Sequence, residues 1–147
     1  KKEYSAVAFP NNGGGYEIRN PYFKGCIAPK DISIIQKSER VKGHGCCLFE
    51  GFMDYLSYLT LVKSGRITES SESVDYIVLN SVSNVGRAIE PIKKYKVIHC
   101  YLDNDDAGRR VVDSLHELLG DKVQDMFAPY PLYKDLNDFL RNKKKIP

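Results

Sequence analysis

The chain has no tryptophan, no two cysteines at Cys-x2-Cys spacing, no Gly-Lys-Ser or Gly-Lys-Thr after its one glycine run, and no methionine at position 1. Each absence narrows the reading. Without Cys-x2-Cys pairs the four cysteines, Cys26, Cys46, Cys47 and Cys100, do not encode a zinc ribbon. Three of them lie inside apolar runs and read as buried thiols kept reduced in the cytoplasm. Gly13-Gly14-Gly15 leads into no helical pattern and so reads as a turn rather than a phosphate cradle. No apolar stretch approaches the roughly 18 residues of a membrane span, and Lys1-Lys2-Glu3 leads into no signal-peptide core. His44, His99 and His116 lack metal-ligand spacing, and none is assigned a catalytic role. The net charge of +3 is too small to establish nucleic-acid binding by itself. The missing initial methionine leads to the expectation of a portion cut from a longer protein.

What is present fits a globular chain of one ordinary domain, divisible into a small lobe and a larger one: 147 residues, 42% apolar and 28% charged. The first forty or so residues are β-prone and rich in turn residues. Tyr4 to Phe9 and Tyr16 to Ile18 predict a hairpin around Pro10-Asn11-Asn12-Gly13-Gly14-Gly15, and Ile32-Ser33-Ile34-Ile35 predicts another strand of the same lobe. Lys37 to Gly45 reads as a polar connector. From Cys46 onward, apolar runs alternate with amphipathic segments, the pattern of parallel βαβ units. The expected strands are Cys46 to Phe49, Tyr76 to Leu79, Val97 to Leu102 and Val123 to Phe127. The expected helices are Phe52 to Val62, Val85 to Lys93 with a break near Pro91, and Ala107 to Leu119. The last carries an apolar stripe of Ala107, Val111, Leu115, Leu118 and Leu119 and stops at Gly120. Ser64 to Ser73 reads as a surface loop. The division is therefore a β-rich lobe over residues 1–44 and an α/β domain over 45–147.

Two acidic constellations follow predicted strands directly, at the carboxyl edge where open α/β sheets bind ligands. Glu50 closes Cys46-Cys47-Leu48-Phe49, and Gly51 turns the chain into the helix that carries Asp54. Asp103-Asn104-Asp105-Asp106 closes the run that starts at Val97. Three carboxylates within four residues repel one another, and a shared cation is a simple reason for the clustering. Each acid also has an ordinary alternative: Glu50 and Asp54 suit a helix amino terminus, and Asp105 or Asp106 suits a helix cap. An EF-hand loop starting at Asp103 fails, because Ala107 and Ser114 stand where ligands are required. A dehalogenase-like phosphotransferase is disfavoured by Ala107 and leaves Glu50 unexplained.

Glu50-Gly51-Phe52-Met53-Asp54, followed about 50 residues later by Asp103-x-Asp105-x-Ala107-Gly108, resembles the paired signature of the Toprim superfamily, the catalytic fold shared by bacterial DNA primases and topoisomerases. Lys134-Asp135-Leu136-Asn137-Asp138 resembles a third element of primase-type members, in which Lys-Asp precedes the closing helix. The resemblance covers Gly45 to Leu140. Gly15-Tyr16-Glu17-Ile18-Arg19, with Pro29-Lys30 downstream, looks like the lobe ahead of Toprim in DnaG-type primases, where a basic residue at the Arg19 position faces the nucleic-acid groove. One departure bears on the number of metals: replicative primases commonly have further acids near Lys-Asp, and Tyr130 to Tyr133 contains none.

The resemblance implies a mostly parallel four-stranded sheet flanked by helices. It implies Mg²⁺, or Mn²⁺ in its place, held by Asp103 and Asp105, with Glu50 as ligand or general acid/base and Asp54 and Asp135 as outer candidates. Arg19, Lys24, Lys30, Arg109 and Lys134 are the candidate phosphate contacts. The tail from Arg141 to Lys145 reads as a frayed terminus. The implied activity is metal-dependent nucleotidyl transfer on a single-stranded DNA template, with nucleotides as substrates and a helicase or other replication proteins met through regions outside this chain. Phosphodiester cleavage, as in Toprim nucleases or topoisomerases, and a nucleic-acid-binding module without catalysis are the alternatives.

Overall fold

The computed structural model describes residues 1–37, 45–69 and 74–146. The connector expected from Lys37 to Gly45, with His44, and the end of the Ser64 to Ser73 loop fall largely or partly outside the described residues. So does the boundary expected at residue 44.

Turn chemistry shapes the amino-terminal lobe. Strands β1 (Val7–Pro10) and β2 (Tyr16–Arg19) pair antiparallel, with Phe9 opposite Glu17. Asn11 organises the turn between them. Its Oδ1 accepts the N–H groups of Gly13 and Gly15, both at 3.0 Å, and its Nδ2 donates to the Pro29 carbonyl at 2.8 Å. A third strand, β3 (Lys24–Ile27), which the sequence did not signal, pairs antiparallel with β2.

Ser33-Ile34-Ile35, grouped with that lobe in the sequence reading, forms strand β4 (Ser33–Ile35) at the edge of a larger sheet. It lies antiparallel to β6 (Val74–Val78), and β6 pairs in parallel with β5 (Gly45–Phe49). Beyond β5 come β7 (Val97–Tyr101) and β8 (Val123–Asp125), also parallel. The order is β4-β6-β5-β7-β8. The four apolar runs supply the four parallel strands, and β4 makes the sheet five-stranded. A pattern reading assigned β4 to the wrong neighbours because a three-residue strand carries no sign of its partner. The lobe stays attached through Asn12 N–H to the Ile32 carbonyl, Ser33 Oγ to the Pro10 carbonyl, and Phe9 stacked on Phe52 at 5.1 Å.

The sheet is covered on both faces, which is why its strands read as near-continuous apolar runs. Helices α2 (Val85–Lys93) and α3 (Asp106–Leu119) meet one face, where Leu48, Ile77, Ala88, Ile92, Ile98, Val112 and Leu115 pack together. Helices α1 (Phe52–Lys63) and α4 (Leu136–Leu140) meet the other through Phe49, Tyr58, Leu61, Tyr76, Tyr101 and Leu136. Adjacent residues of β5 point to opposite cores, Leu48 to the first and Phe49 to the second.

Two helical expectations need correction. α2 runs through Pro91 without a break. The carbonyl that loses its donor is that of Arg87, which is exposed and can bond water, so the helix tolerates the proline near its end. The buried stripe of α3 is Gly108, Val112 and Leu115, while Leu118 is 56% exposed. The helix is rotated so that Gly108 abuts the end of β7, where a Cβ would collide with the Asp103 carbonyl oxygen. Among the described residues no helix is long and apolar enough to cross a membrane.

Candidate metal centre

The carboxyl ends of β6, β5 and β7 lie side by side, and the chain leaves β5 toward β6 on one side and later reaches β7 on the other. Such a reversal opens a crevice at the strand ends. Glu50 stands at the end of β5 and Asp103 just past β7. Their link is direct: the Asp103 N–H donates to Glu50 Oε2 at 3.3 Å.

Asp103 is 9% exposed and Asp54, on the first turn of α1, is 6% exposed. Asp135, at the amino terminus of α4, completes a set of three. One carboxylate oxygen from each of Asp54, Asp103 and Asp135 lies within 4.8 Å of the others. Local structure aims all three. Asp54 Oδ1 accepts the Asn137 N–H at 3.2 Å, and Asn137 Nδ2 donates to Ser57 Oγ at 3.1 Å, which ties α1 to α4. Asp135 Oδ1 caps α4 by accepting the Asp138 N–H at 2.7 Å.

Asn104 anchors the loop that brings Asp135 in. Its Nδ2 donates to the carbonyls of Phe127, Tyr130 and Tyr133 at 3.2, 3.0 and 3.1 Å, and its N–H donates to the Lys134 carbonyl at 2.6 Å. The residue between the two signature acids thus binds the third element of the site to β7.

Burial and mutual repulsion dominate the electrostatics. Burial, then the charges of Asp54 and Glu50, push the Asp103 carboxyl up to about 9. Burial and then Asp135 raise Asp54 to about 7. Glu50 and Asp135 are also raised, chiefly by burial. Asp103 Oδ1 is buried with no hydrogen-bond partner among the described residues. A buried acceptor beside two further carboxylates, with an all-oxygen donor set, suits a hard divalent cation such as Mg²⁺ or Mn²⁺.

The acids form one wall of a cleft of about 700 Å³. Arg19, Lys24, Lys30, Lys134, Arg141 and Lys143 also line it, and none of the six enters an ion pair among the described residues. The inward face of the β1–β2–β3 sheet supplies Arg19 and Lys24, which pair across β2 and β3.

Two expected site residues are engaged elsewhere. Asp105 caps α3, its Oδ1 accepting the Gly108 N–H at 2.8 Å, and it lies outside the set of three. Arg109 does not line the cleft. Its guanidinium pairs with Asp125 and donates to the carbonyls of Asp103 and Leu102 at 3.2 and 2.9 Å, so it braces the β7–α3 turn. Asp54 and Asp135, expected at the periphery, are central. The carboxy-terminal tail does not fray at Arg141: Lys145 N–H donates to the Leu132 carbonyl at 2.8 Å, its Nζ bonds the Asn104 carbonyl, and Arg141 and Lys143 reach the cleft. The basic run held that signal, but its position near the chain end hid it. Asn104 and Asn137 carried none beyond their place among acids.

Comparison with known proteins agrees with this architecture. The sequence profile of the Toprim-like family matches residues 47–140, and a profile described as a domain of unknown function matches residues 1–28. No curated protein matches. The primase fragment of the bacteriophage T7 primase-helicase protein superposes with a TM-score of 0.63 at 18% identity, over 94% of this chain and 58% of the fragment. A chain from the structure of bacteriophage T7 lagging-strand DNA polymerase interacting with primase domains bound to an RNA/DNA hybrid and dTTP gives 0.60 at 16% identity, over 93% of this chain and 70% of that one. The chain thus spans little more than half the length of the T7 primase fragment.

Proposed function

From the premise that this chain belongs to the Toprim-like family, we propose that it is the catalytic core of a primase-like replication protein, transferring nucleotides onto a chain templated by single-stranded DNA with Mg²⁺ or Mn²⁺ as cofactor. The observation that carries this reading is the pairing within one cleft of three converging aspartates with six cations that enter no ion pair among the described residues. A cleft that lines a buried carboxylate cluster with several basic side chains suits phosphates bridged to protein through a divalent cation.

Asp54, Asp103 and Asp135 would hold the metal, which when bound supplies charge neutralisation at phosphate and activation of a hydroxyl. Arg19, Lys24 and Lys30 from the amino-terminal lobe, together with Lys134 beside Asp135, orient the phosphates. Glu50 has one oxygen fixed by the Asp103 N–H and a carboxyl raised by burial, so Oε1 is the atom that takes the proton of the attacking hydroxyl. Asp105 contributes through charge from its capping position, where it adds to the field on Asp103. The T7 relative is a primase-helicase protein. A helicase met through regions beyond this chain, in the cytoplasm, completes the proposal.

The test incubates the chain with single-stranded template, nucleotides and Mg²⁺ or Mn²⁺, beside Asp103→Asn. Metal-dependent primer synthesis lost in the variant supports the reading. Strand cleavage would replace it with a Toprim nuclease or topoisomerase activity, and binding without reaction with a non-catalytic module.

A further inference from the structure

One polar group in the cleft remains outside this scheme. Asn80 follows β6 and lines the cleft on the opposite side of Glu50 from Asp103. It is 7% exposed and adopts φ 66°, a left-handed conformation that asparagine tolerates better than most residues. Its Nδ2 donates to the Asp31 carbonyl and to Ser33 Oγ, both at 2.9 Å. The Ser33 hydroxyl spends its own proton on the Pro10 carbonyl at 2.7 Å, so Ser33 must accept from Asn80. That chain of bonds fixes the amide: turning it over would set oxygen against the Asp31 carbonyl and against a hydroxyl with no proton to give. Asn80 Oδ1 is therefore a buried acceptor, and no donor among the described residues reaches it. Leaving such a group unsatisfied is costly, which favours a ligand able to donate.

We propose that Asn80 Oδ1 accepts a hydrogen bond from the sugar hydroxyl or base amino group of a nucleotide whose phosphates lie at the carboxylate cluster, an inference that rests on the nucleotidyl-transfer reading. The placement supports it. Leu79 N–H donates to the Phe49 carbonyl at 2.8 Å, so β6 and β5 stay paired to their ends. Asn80 and Asp103 then stand two strand spacings apart, about 10 Å. A nucleotide anchored by its phosphates near Asp103 extends its sugar and base over that interval. An acceptor repels phosphate oxygens, so the group it meets is not phosphate. Ser81, Val82 and Asn84 continue the same wall, partly apolar, as a base or sugar requires.

Two measurements test the assignment. In the parent protein the ¹⁵N side-chain amide resonance of Asn80 is followed during titration with ATP and with inorganic pyrophosphate, each with Mg²⁺. It should move with ATP and stay with pyrophosphate; movement with both, or with neither while ATP binds, overturns the proposal. In Asn80→Gly, which accepts the positive φ, ATP affinity by calorimetry should fall about tenfold while pyrophosphate affinity holds. Unchanged ATP affinity in a folded variant overturns the proposal, and if the variant does not fold the resonance of the parent decides alone. A loss seen with ATP and not dATP assigns the donor to the sugar, and a loss that differs between ATP and UTP assigns it to the base. If the folded parent binds no nucleotide with Mg²⁺, the proposed function falls and takes this inference with it. If it binds ATP without involving Asn80, only the inference falls.

Discussion

Asp103 and Asp54 combine burial with like-charged neighbours, and this ties the stability of the metal-free protein to pH. Both carboxyls titrate higher in the fold than the value near 4 expected of an unfolded chain, Asp103 at about 9 and Asp54 at about 7. The folded state therefore holds protons that the unfolded state releases. That stabilisation is complete below the unfolded value and is lost as pH rises through the folded ones. With a chelator present, the melting temperature should fall between about pH 5 and 8, and the increase produced by Mg²⁺ should grow over the same range, since only ionised carboxylates bind the cation. Asp103→Asn should flatten the chelator profile and abolish the Mg²⁺-dependent increase. Asp105 should behave differently because its carboxylate caps a helix. Asp105→Asn should leave the metal-free melting temperature nearly unchanged and weaken Mg²⁺ binding less than Asp103→Asn does, whereas Asp105→Ala should cost about 0.5 to 2 kcal/mol. Thermal melts of the three variants with and without metal check each outcome.

At the scale of elements, the join between β7 and α3 sets the position of the site. Gly108 is required there because a methyl group would strike the Asp103 carbonyl oxygen, a backbone atom that cannot swing aside as a flexible side chain would. Gly108→Ala should destabilise the protein by about 2 kcal/mol or more and reduce the response to Mg²⁺, since Asp103 itself must shift. Chemical denaturation measures the first and a metal melt the second. Asn104→Ala removes the donor shared by three carbonyls of the Phe127–Tyr133 segment and should cost about 2 to 4 kcal/mol. The sequence disclosed the elements unevenly, for physical reasons. Parallel strands buried on both faces have to be apolar, so β5 to β8 stood out, and the acids at their carboxyl ends stood out with them. β3 owes its existence to edge pairing, which leaves little trace in composition, and β4, expected as a strand, pairs with β6 because so short a run does not encode its partner. The expectation that Asp105 ranks ahead of Asp54 and Asp135 came from the Toprim resemblance, whereas Asp54, Asp103 and Asp135 are the acids that the fold brings within 4.8 Å of one another. Convergence from α1 and α4 is a property of packing, and no spacing rule states it.

For the whole molecule, the cleft places basic side chains from the amino-terminal lobe opposite acids of the sheet domain. Binding of single-stranded DNA should weaken with salt, the logarithm of affinity falling with a slope of about −0.7 for each phosphate neutralised. If Arg19, Lys24, Lys30 and Lys134 each meet one phosphate, the slope is about −3, and Lys24→Ala should make it shallower by about 0.7. Fluorescence anisotropy at several salt concentrations measures both, and an unchanged slope would remove Lys24 from the path of the strand. The anchoring of Asp135 also orders events during synthesis. Glu50, Asp54 and Asp103 lie upstream of Asp135, which reaches them through a segment held by Asn104 and continued to Lys145. A nascent chain can build the parallel sheet, with its acids crowded and repelling, before the third aspartate has left the ribosome. The candidate cation-binding set is then completed by a segment that follows every strand of the sheet along the chain, so translation delivers the scaffold before the last of its three aspartates.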